Sequence, residues 1–255
     1  YYSFTKKLKN LRVMMMSSVF LRKETKYILN SKSYETLLFI MRAHMKRDKY
    51  GRQTVNNVYF DNDSYELISR SIEKPVYKEK VRMRVYGRPD ETSPAFFEIK
   101  KKYDGVVFKR RISTDVGAMQ RYIDEGRPID DSQIFREIDY VYRIKKLSPK
   151  VVLAYEREAY YCSYDENLRI TFDTGIRFRT DFLDITKKAP MTFLTGGDVV
   201  LMEIKCLLGY PRWLIDFLTR NGIYKTSFSK YGKVYTDAIL CDSEAKLKEK
   251  ILCSV

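Results

Sequence analysis

Histidine is nearly missing from this 255-residue chain, with His44 the only one. A single imidazole cannot build a multi-histidine metal site. Its place beside Met45 at the end of a predicted helix makes it a surface or boundary residue. Four cysteines, Cys162, Cys206, Cys241 and Cys253, form neither a C-x-x-C pair nor a zinc spacing. They predict reduced thiols in an intracellular chain rather than a disulfide framework. Gly (11) and Pro (7) are sparse and scattered, so no linker or internal repeat divides the chain and one domain is the simpler organisation. There is no Walker A or G-x-G-x-x-G sequence, and Gly196-Gly197 fits neither, which leaves side chains to hold any nucleotide phosphate. No run approaches the roughly 18 apolar residues that cross a bilayer. Val13 to Phe20 is broken by Ser17 and Ser18 and followed by Arg22-Lys23-Glu24, which argues against a secretory signal. The expectation is a cytoplasmic location.

Acid is the other deficit. Lys+Arg number 48 against 33 Asp+Glu, giving a net charge of +15. Such an excess points to a polyanionic partner. A hydrophobic content of 44% and an aromatic content of 14% exclude a disordered basic tail, so the charge rides on a folded scaffold. Apolar spacing predicts a helix over about Ser33 to Met45, through Tyr34, Leu37, Leu38, Met41 and Met45, behind Ser31 or Ser33 as cap. A short helix is predicted near Val116 to Glu125, another over Ser132 to Lys145 after Asp130 or Asp131, and a fourth from Pro211 to Gly222. The rest reads as strands separated by turns such as Arg88-Pro89-Asp90, Tyr103-Asp104-Gly105 and Asp165-Glu166-Asn167.

The strands alternate in an informative way. Val81-Arg82-Met83-Arg84-Val85 sets one apolar face against two guanidinium groups. Phe97-Glu98-Ile99-Lys100, Arg169-Ile170-Thr171-Phe172-Asp173 and Met202-Glu203-Ile204-Lys205 repeat the arrangement, and Arg22, Glu24 and Lys26 share another such face. Two arrangements satisfy this pattern. The charged faces can be the wet side of an antiparallel sheet. Alternatively the sheet closes into a barrel with helices outside, and the charges line its lumen. The repeated Glu-x-Lys, at Glu24/Lys26, Glu98/Lys100 and Glu203/Lys205, favours the second by pairing a hard-metal ligand with a phosphate-binding cation. Lys26, Arg82, Arg84, Lys100, Lys109, Arg157, Arg169, Lys205 and Lys230 would then face a polyphosphate counterion. Glu24, Glu98, Asp173 and Glu203 would hold Mg²⁺ or Mn²⁺. That is a phosphoryl-transfer site, where charge neutralisation and positioning do most of the work. The 21 Tyr and 14 Phe could stack on bases, but strand spacing marks most as core, so single-strand RNA binding is the weaker reading.

At these residues the sequence resembles the vacuolar transporter chaperone (VTC) polyphosphate polymerase domain, a branch of the triphosphate tunnel metalloenzyme superfamily. The carriers, in order, include Arg22-Lys23-Glu24-Thr25-Lys26-Tyr27, Lys80-Val81-Arg82-Met83-Arg84, Phe97-Glu98-Ile99-Lys100, Tyr155-Glu156-Arg157, Met202-Glu203-Ile204-Lys205 and Ser227-Phe228-Ser229-Lys230-Tyr231. The resemblance implies an α+β fold, a closed antiparallel eight-stranded β-barrel tunnel with helices packed outside. It also implies ATP as phosphoryl donor, Mn²⁺ or Mg²⁺ as cofactor and polyphosphate as product. By position, Glu203 resembles the principal metal ligand, with Glu24, Glu98 and Asp173 as further carboxylates. Lys205, Arg82, Arg84 and Lys100 would act on the transferring group, and Lys26, Lys109, Arg157, Arg169, Lys230 and Ser229 would bind the other phosphates. The expected organisation is an N-terminal segment (1–20), a catalytic domain (21–238) and a C-terminal tail (239–255), similar to a stand-alone bacterial-type member. Three functions stay open: polyphosphate polymerase, a triphosphatase acting on inorganic or nucleoside triphosphate, and a non-catalytic polyphosphate- or RNA-binding module. DNA is not an expected partner.

Overall fold

The computed structural model describes residues 23–207 and 209–241. Cys253, the N-terminal segment and most of the expected C-terminal tail lie outside the described residues. The strands are β1 (Lys23–Leu29), β2 (Met45–Arg47), β3 (Gln53–Asp61), β4 (Tyr77–Tyr86), β5 (Pro94–Tyr103), β6 (Val106–Asp115), β7 (Ser148–Cys162), β8 (Arg169–Arg179), β9 (Thr192–Phe193), β10 (Val200–Cys206) and β11 (Lys225–Thr226). They form one antiparallel sheet in the order β11-β1-β10-β8-β7-β3-β4-β5-β6, with β2 added to β7 and β9 to β8. The α+β class and the antiparallel pairing agree with the sequence.

The expected closed, eight-stranded barrel does not. The sheet has 11 strands, and among the described residues no ladder joins β6 to β11. The three additional strands, β2, β9 and β11, are two or three residues long, too short to leave an alternation in the sequence. β11 offers two residues for pairing, and the edges that would meet carry Lys225 on one side and Lys109, Arg110 and Arg111 on the other. Like charges set side by side oppose a shared ladder.

Helices cover the outer face. α1 (Ser31–Met41) and α5 (Arg212–Arg220) pack Leu37, Met41, Leu214 and Phe217 against Tyr27, Ile170, Phe172, Met202 and Ile204. α3 (Val116–Glu125) and α4 (Gln133–Ile144) cover Val81, Met83, Phe97 and Ile99 with Met119, Tyr122, Phe135 and Ile138. α1 begins at an Asn30 cap, whose side chain accepts from Ser33 N, and stops four residues before the expected Met45, which is buried in β2 instead. α4 is capped by Ser132 rather than by Asp130 or Asp131; Asp130 accepts from the Ser132 N–H. Asp104 (φ 43) and Gly105 (φ 82) supply the left-handed pair that a two-residue β5–β6 hairpin demands. His44 stacks on Trp213 at 4.8 Å with the rings nearly parallel. Cys162 and Cys206 are buried free thiols, and Cys241 is an exposed one. Among the described residues no helix is long and apolar enough to cross a membrane.

A third cluster lies on the inner face. Val55, Tyr59, Val151, Leu153, Ile176, Phe178 and Leu201 pack with Ile68 of α2 (Glu66–Ile72), Tyr231 and Val234 of α6 (Lys230–Val234), and Ile239 from the π-helical turn Tyr235–Ile239. Neither α2 nor α6 is foreseen from sequence. Asp61, fully buried, ties them together: it accepts from Leu67 N, Ile68 N and Tyr231 OH at 2.9–3.0 Å. Its carboxylate replaces the cap that α2 lacks, since Tyr65 at the N-cap makes no side-chain hydrogen bond. Asp61→Ala is expected to cost about 2–4 kcal/mol, because it strands several buried donors at once. Denaturant unfolding of the variant checks this, and a loss below about 1 kcal/mol would remove Asp61 from this role.

Candidate functional site

The alternation that buries one side of each strand under the helices turns its neighbours inward. On β4, burial of Val81, Met83 and Val85 leaves Lys80, Arg82 and Arg84 on the concave face; on β10, Met202 and Ile204 leave Glu203 and Lys205 there. Register then sets charges of opposite sign across from each other. Arg157 faces Asp173, Arg82 faces Glu98, Lys26 faces Glu203 and Lys205 faces Glu24.

Two carboxylates are each tied to two cations. Asp173, with no exposed surface, accepts a bidentate pair from Arg157 at 2.6 and 2.7 Å and a third bond from Lys230 Nζ at 2.5 Å. Burial alone would raise its pKa, but Lys230 and Arg157 outweigh burial and hold it below the ordinary value. Glu98 accepts from Arg82 Nε at 2.8 Å and meets Lys109 Nζ at 2.5 Å. Against the upward push of burial, Arg82, Arg84 and Lys109 hold its carboxyl at about 2. Glu203 differs. Lys26 at 3.4 Å and Arg157 at 3.9 Å surround it more loosely, and its carboxyl is likewise held at about 2 despite burial.

Not every cation has a partner carboxylate. Among the described residues Lys80, Arg84 and Lys100 have none in ion-pair range. Arg84 donates to Asn57 Oδ1 at 3.0 Å, and Lys80 donates to Ser229 Oγ at 3.0 Å. Lys100, exposed, stands between Lys80 on β4 and Lys109 on β6 in the register. Burial, together with the charges of Lys26, Lys78 and Lys100, pushes the Lys80 pKa down to about 8. Tyr59, whose oxygen accepts from Arg82 at 3.3 Å, is also lowered to about 8, because Arg82, Lys80 and Arg84 outweigh its burial. The Lys205 pKa is depressed by burial and further by Arg157 and Lys100, against the opposite pull of Glu24 and Glu203. Lys80 on β4 donates to Ser229 and Lys26 on β1 donates to the adjacent Phe228 carbonyl, so one loop meets cations from both halves of the sheet.

The structure therefore gathers Lys26, Arg82, Arg84, Lys109, Arg157, Lys205 and Lys230 into the concave face with Glu98, Asp173 and Glu203. Ser229 joins them as the α6 cap, with its Oγ accepting from Gly232 N at 3.1 Å, while the Phe228 carbonyl accepts from Lys26 at 2.7 Å. Arg169 is turned aside to Asp48 at 3.2 Å, and Glu24 sits 3.7 Å from Lys205. Lys80 and Tyr59 are absent from the sequence-derived set. Lys80 had a signal, since it continues the face of Arg82 and Arg84. Tyr59 had none that separates it from a core tyrosine.

A family model described as the VTC domain matches residues 21–238. The chain belongs to the VTC domain family. Vacuolar transporter chaperone complex subunit 4 of Schizosaccharomyces pombe is 21% identical over 263 residues, an alignment covering 83% of this chain and 36% of that protein. The chain thus spans well under half the length of this relative. A Bacillus halodurans protein solved as a candidate adenylate cyclase superposes with a TM-score of 0.51 at 11% identity, over 83% of this chain and 94% of that one. That likeness concerns the fold alone.

In this VTC domain the four expected metal carboxylates do not converge. Among the described residues no three His, Cys, Asp or Glu side chains form a group that could hold a metal ion. Asp173 and Glu98 are spent on cations, and Glu24 pairs with Lys205. Glu203 fits a divalent cation of the kind bound by one or two carboxylates together with substrate phosphate oxygens, because short hydrogen bonds do not occupy it.

Acid should weaken the fold through its depressed carboxyls, Glu98 and Glu203 among them. Glu98 and Glu203 titrate at about 2 in place of 4.5. Their stabilisation is complete above pH 4.5 and is lost as pH falls towards 2. Denaturant midpoints measured from pH 7 to pH 2 check this. Glu98→Gln is expected to lower stability at neutral pH by about 1–2 kcal/mol, by leaving half-buried Arg82 and exposed Lys109 without their carboxylate, and to flatten the acid slope.

Proposed function

We propose that this VTC domain is a metal-dependent polyphosphate polymerase that moves the γ-phosphoryl group of ATP onto the end of a polyphosphate chain and releases ADP. One observation carries the reading: Lys80, half-buried and sharing the field of Lys26, Lys78 and Lys100, donates to Ser229 Oγ at 3.0 Å and has no carboxylate partner among the described residues. A desolvated cation among cations is stabilised by an anion of high charge density, and a row of them suits a phosphate chain. Family membership and the subunit 4 relative, named for a vacuolar transporter chaperone complex, support the same direction.

In this reading the terminal phosphate oxygen of the chain, already ionised, forms a bond to the γ-phosphorus. The bond from that phosphorus to the β,γ-bridging oxygen breaks, and its electron pair leaves with ADP. No protein nucleophile is required. Arg82, Arg84, Lys100 and Lys205 neutralise the charge on the transferring group. Lys26, Lys109, Arg157, Lys230 and Ser229 grip the remaining phosphates, while Arg169, held by Asp48, takes no part. Asp173 and Glu98 act as positioning residues that fix Arg157, Lys230, Arg82 and Lys109 before substrate arrives, which lowers the ordering cost of binding. Glu203 is the residue that would hold Mn²⁺ or Mg²⁺. The metal supplies charge neutralisation at phosphate oxygens.

Pure protein incubated with ATP and Mn²⁺ is expected to produce long-chain polyphosphate. Orthophosphate without chains would replace this reading with a triphosphatase, and tight polyphosphate or RNA binding without turnover would leave a binding module. Glu203→Ala is expected to lower turnover about 100-fold or more while retaining most of the affinity for inorganic triphosphate; unchanged turnover would remove Glu203 from the site. Raising pH through about 8 lowers the net charge of the site, as the Lys80 ammonium becomes neutral or the Tyr59 phenol becomes a phenolate. Triphosphate affinity, followed by calorimetry, should therefore fall between pH 7 and pH 9 and become flatter in Lys80→Arg combined with Tyr59→Phe.

A further inference from the structure

The phosphate reading leaves one part of the concave face without a role. Phe96 lies directly across from Arg84, and Arg111 directly across from Glu98. Tyr86 follows Arg84 two residues on, so Tyr86, Phe96 and Arg111 share the face that carries the cations. The rings of Tyr86 and Phe96 meet edge to face at 6.1 Å, and the Arg111 guanidinium covers the Phe96 ring at 4.7 Å. None of the three belongs to an apolar cluster: Tyr86 is 40% exposed, while the adjacent Phe97 is fully buried in the outer core.

Single exposed aromatics at a sheet rim are ordinary. This group is set apart by where it stands. It is a wet, π-rich corner one row beyond Arg84, and a molecule whose phosphate meets Arg84 has its next groups within one or two residue steps of Phe96, roughly 3–7 Å at strand spacing. Burial raises the Tyr86 phenol pKa, but Arg84 outweighs it and leaves the pKa below its ordinary value, which places the phenol beside that guanidinium.

We propose that Tyr86, Phe96 and Arg111 form a shelf on which the base of a purine nucleotide stacks, with its phosphates running past Arg84 into the cationic groove. The proposal rests on the phosphate reading above and deepens it by separating a nucleotide donor from inorganic triphosphate. Aromatic rings and guanidinium planes both stack on bases, and such stacks discriminate weakly among them because every base has a π-face. The shelf therefore selects for the presence of a base and for the larger purine surface.

Calorimetric affinities for ATP, CTP and inorganic triphosphate, measured on the unaltered chain, on Phe96→Leu and on Arg111→Met, test this. ATP is expected to bind more tightly than CTP. Each substitution should weaken ATP about 5-fold or more, the scale of a lost base stack, and leave inorganic triphosphate within about 2-fold. Equal losses for ATP and triphosphate, or no loss for either in both variants, would overturn the shelf while sparing the phosphate site. Failure of the unaltered chain to bind triphosphate would overturn the phosphate reading and the shelf together.

Discussion

The structure depends on one electrostatic constraint: a single concave surface must hold many positive side chains close together, out of bulk water, without flying apart. Arg157, Lys230, Arg82 and Lys109 are each tied to one of two buried carboxylates, Asp173 and Glu98, at 2.5–2.8 Å. Ion pairs of this kind gain little net stability over apolar packing, because desolvation offsets most of the attraction. What they secure is geometry. The convex side supplies the stability, through two apolar layers under α1 and α5 and under α3 and α4.

This division explains why the sequence was legible where it was. Residues buried on the convex face had to alternate with something, and the alternating partners Arg82, Arg84, Glu98, Glu203 and Lys205 were readable as one charged face. α3 was readable to its ends, and α4 and α5 within two residues, because each has a strong apolar stripe and a cap or stop signal. α1 was over-extended because Met45 keeps helical spacing, although the chain has already turned at 42–44 into β2.

The misses share a cause in long-range pairing. α2 and α6 have seven and five residues, too few for a period, and both are held by Asp61. Closure of the sheet depended on whether strands far apart in the chain would hydrogen-bond, which no local pattern encodes. The four expected metal carboxylates were kept apart by the same kind of pairing. Alternation put Glu24, Glu98, Asp173 and Glu203 on one face, but register decided that each would meet a cation across the ladder before it met another carboxylate.

The inner apolar cluster draws Tyr231, Val234 and Ile239 onto residues from β3, β7, β8 and β10. A ribosome makes those strands first. Without residues 231–239 that apolar surface stands open next to the guanidinium and ammonium groups, and Asp61 lacks the Tyr231 hydroxyl. The Lys230–Val234 helix thus acts as a plug, and a chain cut before Tyr231 would keep its charged strands but leave this inner apolar cluster uncovered.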